Sequence, residues 1–181
     1  MMKKREESKK LLNDFIENEN LKHHCEMVAS AMEAYARSLK LEEEELENWW
    51  HAGLLHDLDW EKYPDEHPAV AVEKILPANN YSDTVIQAIK AHAPERTGKE
   101  PETKIERYLF ACDELSGFMH AVSLMRPNGF KDMKVKSVKK KLKDKSFAAN
   151  VPRADIERGA ELINEDLNDH ILFLIEVFSD M

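Results

Sequence analysis

Residues 46–57 read Leu-Glu-Asn-Trp-Trp-His-Ala-Gly-Leu-Leu-His-Asp. Leu46, Trp50, Gly53, Leu54 and Asp57 recur at steps of three and four, the spacing of one helical face. The acidic run Glu42-Glu43-Glu44-Glu45 just upstream suits a helix start, where negative charge meets the positive end of the helix dipole. The helix then ends on two polar side chains, His56 and Asp57, after the apolar Ala52-Gly53-Leu54-Leu55. Burying an imidazole and a carboxylate there costs free energy unless something binds them. A divalent metal satisfies both at once.

Working outward, helical spacing continues and strand-like alternation is hard to find. A short helix is expected over about 9–16. A second, over about 21–39, places Leu21, His24, Val28, Ala31, Tyr35 and Leu39 on one stripe. Beyond the doublet, a polar loop over 61–66 leads to a helix over about 68–76 with Pro68 as its first residue. Ser82 caps the next helix, whose stripe Val85, Ile86 and Ile89 runs on to His92. Breakers at 93–102 precede a long helix over about 103–125 that carries Ile105, Leu109, Asp113, Ser116 and His120 along one side. Lysines dominate 131–145, and two helices near 153–164 and 167–180 close the chain. The expected class is all-α: a single-domain helical bundle over 1–181, long enough to bury a real core.

Bulk properties narrow the function classes. The charged fraction is 34% and the net charge −9, which argues against a nucleic-acid partner. The two cysteines, Cys25 and Cys112, sit in helical patterns and suggest no disulfide framework. No apolar run approaches the ~20 residues of a membrane span, and no apolar stretch follows the charged N-terminus. A cytoplasmic protein with no membrane partner is the expectation. The oligomeric state is left open.

The candidate ligands lie on either side of the doublet. His24 shares a stripe with Val28 and Tyr35 and so faces the core, whereas His23 is one helical step off it. Asp113, on the Leu109/Ser116 face, needs a cation or donors to stay ionised once desolvated. His67 and His92 stand beside turns. Asp59 and Glu61 fall on the polar loop, where solvated charge is the default.

His24, then His56-Asp57, then Asp113 resembles the H…HD…D signature of the HD-domain metal-dependent phosphohydrolase superfamily. Ala-Gly-Leu-Leu-His-Asp around the doublet and Ala-Cys-Asp-Glu-Leu around the last Asp match it too. The likeness covers about 20–125 and leaves the lysine-rich segment and last helices, about 130–180, outside it. By that resemblance, His24, His56, Asp57 and Asp113 hold one divalent transition metal (Fe, Mn, Zn, Co or Ni). Glu66-His67-Pro68 and the stretch ending at His92 look like the extra histidines of the subgroup that holds two ions, with Asp57 bridging. In that subgroup Ile-Gly follows the doublet; here Leu58-Asp59 stands instead.

The chemistry implied is phosphoester hydrolysis of a small phosphorylated substrate, with a nucleotide as one candidate. Metal-activated water would be the nucleophile and Asp57 or Asp59 the proton acceptor. The alternative is a non-catalytic regulatory module that holds metal and a nucleotide-like ligand. For Lys131–Lys145, an amphipathic helix with a solvated basic face stands against a patch that gathers phosphate; no site is assigned there.

Overall fold

The computed structural model describes residues 4–181, and among them there is no strand. Ten α-helical segments follow in order: α1 (Arg5–Phe15), α2 (Glu19–Ser38), α3 (Glu43–Leu55), α4 (Leu76–Ala78), α5 (Asp83–Ala91), α6 (Pro94–Thr97), α7 (Lys104–Leu124), α8 (Val135–Leu142), α9 (Arg153–Leu162) and α10 (Leu167–Ser179). The all-α expectation holds. The helix expected at 68–76 is helical over 69–78 but widens into a π-helical turn at Ala71–Ile75. Local chemistry sets the boundaries. Asn18 caps α2 by accepting from the Asn20 and Leu21 amides, and Ser82 caps α5 through the Val85 amide. Thr103 and Glu106 form a reciprocal capping box at the start of α7.

One apolar cluster runs from Leu12 in α1 to Phe178 in α10. Its centre is the pair α2 and α3, joined by a short connection and packed side by side. A Cβ on Gly53 would lie 2.7 Å from Ala29 Cα, so only glycine lets the two backbones approach this closely. Gly159 of α9 meets Ala111 of α7 in the same way, again at 2.7 Å. These two close approaches fix α2 against α3 and α9 against α7. From Trp49 to Leu55, α3 is buried on every side and not on a single stripe as the periodicity predicts. His51, on the side facing α1, is hydrogen-bonded to Ser8 Oγ at 2.9 Å, and Ser8 Oγ to the Tyr81 hydroxyl at 2.6 Å.

The loop between α3 and residue 69 is tied down along its length. Glu61 accepts from the Glu17 and Asn18 amides, and Lys62 donates to the Asp14 carbonyl. Arg96 donates to the Pro64 and His67 carbonyls. Cys25 and Cys112 are both buried and free, and burial pushes the Cys25 thiol up to about 12. No helix among the described residues is long and apolar enough to cross a membrane.

Candidate metal centre

His24 lies in the first turns of α2, His56 caps the C-terminus of α3, and Asp113 sits midway along α7. The antiparallel run of α2 and α3 brings the start of one beside the end of the other. There His24 Nε2 lies 3.2 Å from His56 Nε2 and 3.0 Å from Asp113 Oδ1. Asp57 Oδ2 is 3.3 Å from His56 Nε2 and 3.8 Å from His24 Nε2. The other oxygen of Asp57 faces a second group: Oδ1 is 3.4 Å from His67 Nε2 and 3.7 Å from His92 Nε2. Those two nitrogens are 3.2 Å apart. Two sets able to hold a metal ion therefore share Asp57, one of four residues and one of three.

The tautomers decide what these nitrogens offer. His56 Nδ1 lies 2.7 Å from the Gly53 carbonyl oxygen, His92 Nδ1 2.5 Å from that of Ile89, and His67 Nδ1 2.7 Å from Asp59 Oδ1. Each of these oxygens only accepts, so each Nδ1 carries a proton and each ring turns its Nε2 inward, free to offer a lone pair whenever the ring is neutral. With both rings neutral, His67 and His92 would meet lone pair to lone pair beside a carboxylate oxygen, an arrangement that positive charge among them relieves. Ligands about 2.1 Å from one ion stand about 3.0–3.4 Å from each other in octahedral or tetrahedral geometry, and most spacings here fall in that range. Imidazole and carboxylate donors suit Fe, Mn, Zn, Co or Ni. The residues present fit a divalent metal.

Electrostatics point the same way. Burial works to lower the His56 pKa, but the Asp57 and Asp113 carboxylates override it and hold the imidazole well above its ordinary range. Burial likewise opposes ionisation of Asp57 and Asp113, yet the neighbouring imidazoles, His56 foremost, hold both below the ordinary carboxylate range. The cluster attracts positive charge, which a bound cation supplies.

His24, His56, Asp57 and Asp113 lie together in the first group, and His67 and His92, both buried, lie with Asp57 in the second. Asp59 departs from expectation. It is not solvated on a loop but 0% exposed, because the chain turns inward after α3. One of its oxygens meets His67 Nδ1 and the other accepts from the Ala71 amide at 2.8 Å. With both oxygens engaged and none facing the cavity, the geometry does not suit Asp59 to the proton-acceptor role expected of it. Glu61 is spent on the α1–α2 connection, away from the ligands.

A cavity of about 470 Å³ opens over both groups, with His24, Asp57, His67, His92 and Asp113 in its floor. Its walls include Trp60, Phe110, Arg96, Glu95, Glu114 and Asp155. Trp49 and Trp50 are core, while Trp60 is exposed and stacks under the Arg96 guanidinium. Burial first, then Asp113 and Asp155, pushes the Glu114 carboxyl up to about 8. Glu95, Glu114 and Asp155 escape the sequence reading, although Glu114 directly follows a predicted ligand and that doublet of carboxylates is a visible signal. None of Lys131–Lys145 lines the cavity; Val138 is buried and the lysines of α8 face mostly outward.

A family model described as HD domain matches residues 21–117, more than half of the chain. The chain belongs to the HD-domain family. That region carries His24, the His56-Asp57 doublet and Asp113, and also His67 and His92. Membership places this HD-domain chain in a superfamily of metal-dependent phosphohydrolases. Neither curated proteins nor solved structures gave a match.

Proposed function

We propose that this HD-domain chain is a metal-dependent phosphohydrolase acting on a small phosphorylated substrate, with 1–181 as one catalytic domain. The observation that carries this reading is the pair of inward-facing donor groups joined through Asp57, open to a cavity of small-molecule size. His24, His56, Asp57 and Asp113 would hold one ion, and Asp57, His67 and His92 a second. A bound divalent ion supplies Lewis acidity toward a phosphoryl oxygen and activates water near neutral pH. The protein's part is preorganisation. Gly53, Ile89 and Asp59 lock the ring orientations, α2 and α7 hold their ligands on rigid helices, and Asp57 would present one oxygen to each ion. Asp59, which holds His67 and the Ala71 amide together, is a positioning residue in this scheme.

The one apolar cluster that joins α1 to α10 supports reading the chain as a single domain. Phosphate release from a panel of phosphomonoesters and nucleotides, measured on metal-reconstituted protein, tests the proposal. Release that depends on added metal and is lost in Asp57→Ala is expected. Metal binding without any release would favour the regulatory module instead.

A further inference from the structure

The cavity over the two donor groups is lined by carboxylates as well as imidazoles, so an anionic substrate entering it needs positive charge to meet it. Among the described residues lining the cavity, Arg96 is the sole Lys or Arg. It sits in α6, on the side of the second donor group. Its Nη1 donates to the Pro64 carbonyl at 2.8 Å and to that of His67, a member of that group, at 3.3 Å. The guanidinium lies over Trp60, 5.1 Å from the ring centroid, and the Trp60 ring meets the His67 ring edge-on at 5.0 Å. One nitrogen and one face of the guanidinium thus fix Arg96 beside His67.

The other two nitrogens are unspent. A guanidinium has five N–H donors, and the two on Nη1 account for the two carbonyls. Nε stands 3.9 Å from Glu95 Oε1, beyond hydrogen-bond reach, and Nη2 donates to no group among the described residues. Nε and Nη2 form an edge of the fork that can donate to two oxygens of one phosphate in parallel. Tying α6 to the loop at 64–67 uses Nη1 alone and leaves this edge open on a residue that lines the cavity. We infer that Arg96 grips the phosphoryl group, its Nε–Nη2 edge donating to two phosphoryl oxygens on the His67–His92 side of the cavity. The inference rests on the phosphohydrolase reading proposed above for its substrate, whereas the subsite itself requires only a phosphate.

The test measures calorimetric affinity for inorganic phosphate, and kcat/KM over a panel of phosphomonoesters, on metal-reconstituted wild type, Arg96→Gln and Arg96→Lys, with bound metal counted in each. Glutamine can still donate to a carbonyl but carries no charge, and lysine keeps the charge without the fork. Arg96→Gln should weaken phosphate binding by about 10–100-fold and lower kcat/KM by a similar factor, with metal content unchanged. Arg96→Lys should fall between that variant and wild type. Unchanged phosphate affinity in Arg96→Gln overturns the inference, and a lysine variant as tight as wild type overturns the two-point grip. So does a loss of affinity that follows loss of metal and is reversed at saturating metal, since Arg96 would then act only by holding His67. If no ester is hydrolysed but phosphate binds with this dependence on Arg96, the hydrolase reading fails while the subsite stands. If all three proteins hydrolyse the esters equally, the hydrolase reading stands and the subsite fails.

Discussion

Asp57 owes its role to having two oxygens and one position. Oδ2 faces His24 and His56 while Oδ1 faces His67 and His92, so one carboxylate links donor groups drawn from five separate stretches of chain. Asp59, two residues on, acts through His67. An Asp59→Asn amide can still accept from the Ala71 amide, but it weakens the bond to the His67 Nδ1 proton. Substitution should therefore reduce affinity at the His67–His92 group by about 10–100-fold and leave the His24 group filled, as read by metal titration. Equal loss at both groups would show that Asp59 supports the fold generally.

The candidate ligands were legible from their company: His24 and Asp113 fall on apolar stripes, the doublet ends one, and their order along the chain resembles the HD signature. Asp59 did not, since it follows the end of α3, where helical periodicity stops and a turn can bury any side chain it closes upon. The three carboxylates of the cavity wall are as hard to see in the sequence: Glu95, Glu114 and Asp155 come from α6, α7 and α9, and only tertiary packing joins them.

At the scale of elements, the site depends on how closely α2 and α3 pack. Periodicity located both helices to within a few residues, but it could not show that Gly53 sits against the Ala29 backbone. Gly53→Ala places a methyl group where Ala29 Cα and N already stand, at 2.7 and 2.8 Å. Separating the helices should cost about 1–3 kcal/mol of stability in denaturant unfolding, and should weaken metal binding by pulling His24 from His56. A variant with unchanged stability and metal affinity would contradict this account of the pair. The π-helical turn at Ala71–Ile75 was equally hidden, since one extra residue per turn leaves no mark on an apolar pattern so short.

For the whole molecule, a buried histidine outside both donor groups sets a pH dependence. His170 is fully buried, with its Nε2 3.0 Å from the Ala111 carbonyl and its Nδ1 2.6 Å from the Tyr35 hydroxyl. The first contact fixes the neutral ring with its proton on Nε2, so that Tyr35 donates to Nδ1. Burial lowers its pKa from 6.5 to about 4. A neutral group depressed in this way binds fewer protons folded than unfolded below pH 6.5, so stability is full above that value and falls as pH drops toward 4. Between pH 7 and 5 the loss from this group should be about 2 kcal/mol. His170→Gln should be less stable at neutral pH but should lose that portion of the acid dependence. An identical pH slope in wild type and variant would place the acid sensitivity elsewhere.

The central claim is that two donor groups share Asp57, and counting bound metal tests it most directly. Protein reconstituted with a divalent transition metal and freed of excess should retain two equivalents in wild type. His67→Ala/His92→Ala should keep one, and Asp57→Ala should lose metal from both groups. A wild type that retains no metal, or a double variant that still holds two equivalents, would contradict the account.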